Sequence, residues 1–173
     1  MSDSLHRNFL DYSAGKLRQH AGRIETCLSG LNEEQVWARG GDNENAIGNL
    51  VLHLCGNVRQ WIVSGVGGQA DTRQRDAEFD ARGGVPVSEL IARLRTTVEE
   101  AVVVSGSVTA GRLAERVAIQ KYDVTVLEAI YHVVEHFSGH TGQIIFATKM
   151  LTGSDLGFYR HLRSTAAHGQ QTP

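Results

Sequence analysis

Three histidines, His132, His136 and His140, recur at intervals of four residues. In a helix, side chains four residues apart share a face, and imidazoles one turn apart can bind one metal ion. Three along a helix span about 12 Å, so only one adjacent pair can share an ion. With Ile130 at the centre of the apolar stripe, His132 lies roughly 160° away, His136 about 120° and His140 about 80°. This geometry favours His136 and His140 as the ligand pair.

A third ligand is available on another predicted helix. His53 lies roughly 120° from the centre of a stripe that includes Ile47, so it also borders a buried face. Three neutral imidazoles leave positions for water or substrate, as catalytic metal sites do. Zinc or nickel is the favoured ion, and iron or manganese is also compatible with such ligands. Four other histidines are assigned ordinary structural or solvated roles: His6, His20, His161 and His168.

Each of these features also has an ordinary explanation when it is taken alone. A single histidine at a helix flank is usually solvated or hydrogen-bonded within the fold, and HxxxH spacing alone is weak. The pair together with a matching third histidine favours metal binding. Several neighbours could hydrogen-bond the ligand rings or a bound water, although their polarity also suits a surface: Asn49, Asn57, His132 and Gln143.

The bulk composition predicts one cytoplasmic domain. The chain has 173 residues, with 41% hydrophobic and 21% charged, and a net charge of -2. Its basic residues are scattered, which argues against a nucleic-acid partner. Only two cysteines are present, and no apolar run approaches the roughly 20 residues that span a bilayer. We therefore expect a cytoplasmic protein without a membrane partner, with one domain over 1–163 and a flexible tail over 164–173.

Apolar residues at spacings of three and four predict four long helices. The first is predicted over residues 4–29, ending before Gly30. The second follows a cap at Asp42 or Asn43 and ends at the glycine cluster 65–68. A long charged crossover over 71–82 then leads to the third helix.

The third and fourth helices complete an all-α bundle. Pro86 and Ser88 introduce the third, while Asp123 is predicted to cap the fourth, which should end near Gly153. Each stripe is apolar on one side only, so the four must bury those sides against one another. The prediction is a four-helix bundle with a long crossover between helices two and three.

Two segments resemble the DinB-like superfamily of damage-inducible bacterial proteins. They are NAIGNLVLHL at 45–54 and HVVEHFSGHTGQI at 132–144, and RDAEFD at 75–80 looks like one uncharacterised branch. The resemblance spans nearly the whole chain. It implies a four-helix bundle in which His53, His136 and His140 bind a divalent metal. It also implies a homodimer, because many members form one.

The resemblance further suggests what such a metal site could do. Known activities in the superfamily include thiol-dependent transferases and isomerases, so we expect a metal-dependent thiol S-transferase or a related conjugating enzyme. Its partner would then be a small-molecule thiol or electrophile. The alternatives are a non-catalytic metal-binding stress or sensor protein, and a helical interaction module whose histidines are incidental.

Overall fold

The computed structural model describes residues 2–163, so the predicted tail 164–173 and His168 lie outside the described residues. Four long helices form the main body, and two short helices lie between them. In chain order they are α1 Ser2–Ser29, α2 Glu33–Trp37, α3 Ile47–Val58, α4 Arg75–Asp80, α5 Val87–Gly106 and α6 Val126–Thr152. The predicted helical fold is confirmed.

The four long helices pack in a closed arrangement around one core. Helix α1 packs against α5 and α6, and α3 packs against the same two helices from the other side. The stripes read from the sequence are the buried sides, with Ile24, Leu54, Leu94 and Phe137 each fully enclosed. Burial of these apolar faces is the main force that holds the helices together. In the described part of the chain, no helix is both long and apolar enough to cross a bilayer.

Helix α3 begins later than predicted, and the last part of the predicted second helix is π-helical. Its N-cap is Ala46 rather than Asp42 or Asn43, and the Asn49 side chain accepts a hydrogen bond from the Ala46 amide. A side chain inside the helix thus pairs the N-cap amide, whereas Ala46 itself has no side chain that could cap the helix. Beyond Val58 the helix continues as a π-helical segment, Arg59–Val66, to the predicted glycine cluster.

A small hairpin precedes α6 and was not predicted. Strands β1 Arg116–Ile119 and β2 Tyr122–Thr125 pair antiparallel across a two-residue turn. Asp123 lies in β2, where its carboxylate accepts from Arg116. Four-residue strands are too short to show a clear alternation, so the sequence pattern could not reveal them.

The caps of α5 and α6 also differ in detail. The N-cap of α6 is Thr125 rather than Asp123, because Thr125 and Glu128 form a reciprocal capping box. Pro86 is the N-cap of α5, and Ser88 already lies within that helix. The predicted end of the fourth helix is confirmed, since Gly153 adopts a left-handed conformation with φ 65° directly after Thr152.

Candidate metal centre

Helices α3 and α6 bring the three predicted ligand residues together. His53 is buried, with 6% of its surface exposed, and His136 and His140 are half-buried. Nε2 of His136 lies 3.1 Å from Nε2 of His53 and 3.2 Å from Nε2 of His140. One ligand nitrogen from each ring lies within 4.8 Å of the other two. Three imidazole nitrogens thus face one point between the two helices.

The far side of the His53 ring is held by a buried ion pair. Glu78 Oε2 lies 3.1 Å from His53 Nδ1. Arg73 donates to both oxygens of Glu78, at 2.7 Å and 2.8 Å. Burial tends to raise the pKa of Glu78, but the hydrogen bonds from Arg73 and His53 outweigh it and hold that pKa below its usual value. With its proton on Nδ1, His53 donates to the ionised Glu78 and keeps the Nε2 lone pair free; Arg73 Nη2 lies 3.1 Å from the same Nδ1.

This ion pair approaches α3 closely because residue 56 is glycine. A Cβ atom on Gly56 would lie 1.9 Å from Glu78 Oε1 and 2.9 Å from Arg73 Nε. Gln60, one turn further along, accepts from Arg73 Nη1 at 2.9 Å and donates to Asp71 at 2.7 Å. These hydrogen bonds therefore hold the crossover against α3 on the Nδ1 side of the His53 ring.

The two ligand-candidate histidines of α6, His136 and His140, are kept neutral by their surroundings. Burial lowers the pKa of His136 to about 3, helped by the nearby histidines and Arg73. Burial also lowers the pKa of His140, although its hydrogen bond to Gln143 acts in the opposite direction. Gln143 Oε1 lies 2.7 Å from Nδ1 of His140, whereas the buried Nδ1 of His136 has no hydrogen-bond partner among the described residues. Neutral imidazoles offer the lone pairs that a metal ion requires.

One side of the cluster opens onto a cavity of 440 Å³. His132 and Glu135 form part of its wall, next to His136 and His140. The centroid of the His132 ring lies 4.1 Å from that of the Trp61 ring. Burial lowers the pKa of His132, and the nearby charge of Glu135 opposes that shift. His132 is thus placed at the rim, outside the group of three converging nitrogens.

The predicted amide neighbours divide into two groups. Gln143 does bond a ligand-candidate ring, as described above. Asn49 instead holds the crossover, since its amide donates to the carbonyls of Glu78 and Ala81 and its oxygen accepts from Arg39. Asn57 is buried, and its Oδ1 has no hydrogen-bond partner within the described chain.

Arg73 and Glu78 were not recognised as site residues from the sequence. Glu78 belongs to the RDAEFD segment that indicated a branch of the superfamily. The segment therefore drew attention in the sequence, but no function was assigned to Glu78. Helix α4 spans only six residues, which is too short for an apolar period to show which side is buried. A carboxylate in an otherwise charged crossover is also expected to be solvated.

Three solved structures share this fold. A conserved protein from Enterococcus faecalis aligns with a TM-score of 0.68 at 13% identity, covering 83% of this chain and 97% of that chain. A DinB-like protein from Bacillus subtilis gives 0.65 at 15% identity, covering 86% and 97%. A DinB-like protein from Bacillus cereus gives 0.63 at 14% identity, covering 82% and 93%. At such identities the likeness establishes the fold alone.

The chain therefore has a DinB-like helical fold, with a cluster of three histidines between two of its bundle helices. Residues 4–162 match a family described as a protein of unknown function, DUF1572, and the chain belongs to that family. The resemblance to DinB-like proteins is confirmed at the level of the fold, and a family of unknown function is consistent with an uncharacterised branch. No curated protein matches the chain.

Proposed function

We propose that this chain binds a divalent metal, zinc or nickel, through His53, His136 and His140, and uses it in thiol transfer. The observation that supports metal binding is the convergence of three imidazole Nε2 atoms. Metal–nitrogen distances of about 2.0–2.1 Å in tetrahedral geometry place ligand nitrogens about 3.3 Å apart. The separations from His136 to His53 and to His140, 3.1 Å and 3.2 Å, are near that value, and all three ligand atoms lie within 4.8 Å of one another.

The hydrogen bonds to the Nδ1 atoms of His53 and His140 also favour metal binding. Histidine ligands usually donate their second N–H to a carboxylate or carbonyl oxygen, which orients the ring and raises its basicity. Glu78 supplies such an acceptor to His53, and Gln143 supplies one to His140. The positive charge of Arg73 is balanced by Glu78, so its repulsion of a bound cation is reduced.

The open cavity favours a site that exchanges ligands over a closed structural one. A metal held by three histidines lowers the pKa of a bound thiol or water and so supplies a nucleophile at neutral pH. His132 and Glu135 at the cavity wall are placed to take up a proton from a group bound there. The cavity, at 440 Å³, has room for a small thiol and an electrophile.

The first test is metal content. The untagged protein, incubated with zinc or nickel and then desalted, should contain about one ion per chain by plasma mass spectrometry. The His136→Ala, His140→Ala double variant should contain none, whereas the control His161→Ala, which removes an exposed histidine, should bind like the parent. A parent that stays metal-free would contradict the proposal.

The second test is turnover with a defined thiol and electrophile. Zinc- or nickel-loaded protein should conjugate bacillithiol, glutathione or cysteine to chlorodinitrobenzene, followed by absorbance, and the double variant should not. The Glu135→Gln variant should keep the metal but react more slowly, by about tenfold or more.

Metal binding without turnover would favour a second candidate, a non-catalytic stress or sensor protein. The observation behind it is that His53 connects α3 to the crossover through Glu78 while its two companions lie on α6, so an ion would join three parts of the fold. Such a protein should gain about 2.7 kcal/mol of stability when free zinc is a hundredfold above its Kd.

A further inference from the structure

A second cavity lies on the other face of α6, away from the histidine cluster. Its volume is 410 Å³, and it is enclosed by α1, by α6 and by the segment 154–160 that follows α6. His20 and Arg23 line it from α1, and Ser138 and Lys149 line it from α6. A neighbouring cavity of 760 Å³ shares His20, Arg23 and Ser138 with it.

The charges around this second cavity are unbalanced. Three basic side chains line it, Arg23, Lys149 and Arg160, against one acidic side chain, Asp155. Arg160 is paired with Asp155 at 3.4 Å. Neither Arg23 nor Lys149 forms an ion pair with an acidic residue among the described side chains, 4–162. The cavity therefore presents two uncompensated cations on facing helices.

Aromatic rings occupy the same wall as Arg23. Its guanidinium lies 5.7 Å from the centroid of Phe158 and 5.3 Å from the centroid of Tyr159. Stacking on ring faces leaves the edge of a guanidinium free to donate hydrogen bonds. The rings also offer apolar surface to the remainder of a ligand.

The segment that covers the cavity folds back through specific backbone contacts. Asp155 accepts a hydrogen bond from the Gly157 amide at 2.9 Å, and Gly157 adopts φ 73°, which glycine tolerates without strain. Arg160 returns to the carbonyl of Asp155 at 3.2 Å. These contacts place Phe158 and Tyr159 over α1, where they form the wall described above.

The floor of the cavity contains a buried histidine without a partner. His20 is 8% exposed, and its Nδ1 is buried with no hydrogen-bond acceptor or donor among the described residues. Burial, with help from Arg23 and Lys16, lowers the pKa of His20 to about 4. The ring is therefore neutral at pH 7 and adds no charge to the two free cations.

We infer that this cavity binds a small oxyanion, a phosphate or carboxylate group held between Arg23 and Lys149, with the rest of the ligand against Phe158 and Tyr159. Two cations from different helices that line one cavity match an oxyanion, because each can donate a charge-assisted hydrogen bond to a different oxygen. A metal cation is disfavoured by the same charges. This inference is independent of the proposed metal chemistry.

Calorimetric titration with inorganic phosphate and with benzoate tests the inference. The full chain is first treated with a chelator, so that neither probe can bind at a metal. One saturable site per chain is expected for at least one probe. Arg23→Gln and Lys149→Gln should each weaken it by about tenfold or more, since each removes a charged hydrogen-bond donor.

Two matched controls separate a specific site from general electrostatics. Arg18→Gln removes the same charge from α1, and Lys121→Gln removes a lysine charge from the hairpin, both outside the cavity. Each should change the affinity by less than about twofold. Tighter binding of phosphate would identify a phosphate-bearing ligand, and tighter binding of benzoate an aromatic carboxylate. The inference is overturned if neither probe saturates, or if the controls weaken binding as much as the cavity variants do.

Discussion

The two faces of α6 have opposite electrostatic requirements. On the face toward α3, the nitrogens of three histidines converge, and the charges behind them, Arg73 and Glu78, neutralise each other. On the face toward α1, two cations, Arg23 and Lys149, line a cavity without acidic partners. The first face offers lone pairs, which suit a cation, and the second offers positively charged donors, which suit an anion.

The comparison shows that burial alone does not identify a site. Both faces contain a buried histidine, His53 or His20, and the two differ in what surrounds the ring. His53 has a carboxylate at Nδ1 and two further imidazoles at Nε2, whereas His20 has neither and lies near Arg23 and Lys16. The neighbouring groups therefore decide whether a neutral imidazole belongs to a cation site or an anion site.

The largest expected effect comes from making the same change on both faces. Arg73→Met leaves the carboxylate of Glu78 buried without its cation, so the free energy of unfolding should fall by about 3 kcal/mol or more. Arg23→Met removes a stacked but uncompensated cation, and methionine retains contact with the rings, so the loss should stay below about 1 kcal/mol. Urea denaturation of the chelator-treated proteins measures both.

Equal losses of unfolding free energy in these two variants would contradict the comparison. They would mean that the Arg73–Glu78 pair stabilises the fold no more than the stacked Arg23 does. Arg18→Met supplies a reference for an exposed ion pair. Its partnership with Glu99 is solvated on both sides, and it should cost less than about 1 kcal/mol.

The long elements of the fold were predictable because their signal is repeated. Twenty or more residues of apolar spacing predict α1 and α6, and the same logic extends to α3 and α5. The hairpin and α4 offer too few residues for a period to emerge. The start of α3 was misplaced because its N-cap, Ala46, has no capping side chain, so residue type at the boundary gives no signal; the Asn49 side chain accepts from the Ala46 amide instead.

The three histidines of the cluster were predictable from the sequence, but the ion pair behind His53 was not. Angular positions on two helices predict that His53, His136 and His140 face a common space, and the structure places them there. Arg73 and Glu78, which contact the Nδ1 side of the His53 ring, belong to the crossover. No helical periodicity relates that segment to His53. The cationic cavity is equally invisible in the sequence, since Arg23 and Lys149 are far apart along the chain and become neighbours only through packing of α1 on α6.

A smaller effect is expected from two glycine substitutions. Gly56→Ala inserts a methyl group 1.9 Å from Glu78 Oε1, so the ion pair must shift away from α3. We expect a loss of about 2 kcal/mol in unfolding free energy and about tenfold weaker zinc binding. Gly22→Ala on α1 meets nothing within 4 Å and should gain about 0.5–1 kcal/mol. A stabilising Gly56→Ala variant would show that the close approach behind His53 is dispensable.

The effect that is smallest at neutral pH concerns the acid sensitivity of His20. Its pKa falls from the ordinary 6.5 to about 4 on folding, so between these values the unfolded chain binds more protons than the native one. Stability is therefore fully present above pH 6.5 and is lost as the pH falls toward 4, at no more than about 1.4 kcal/mol per pH unit. In the His20→Gln variant this contribution disappears, and urea denaturation of chelator-treated protein should show a shallower decline. Parallel slopes for the two proteins would mean that His20 is solvated, and the α1 face would then lose its buried neutral ring.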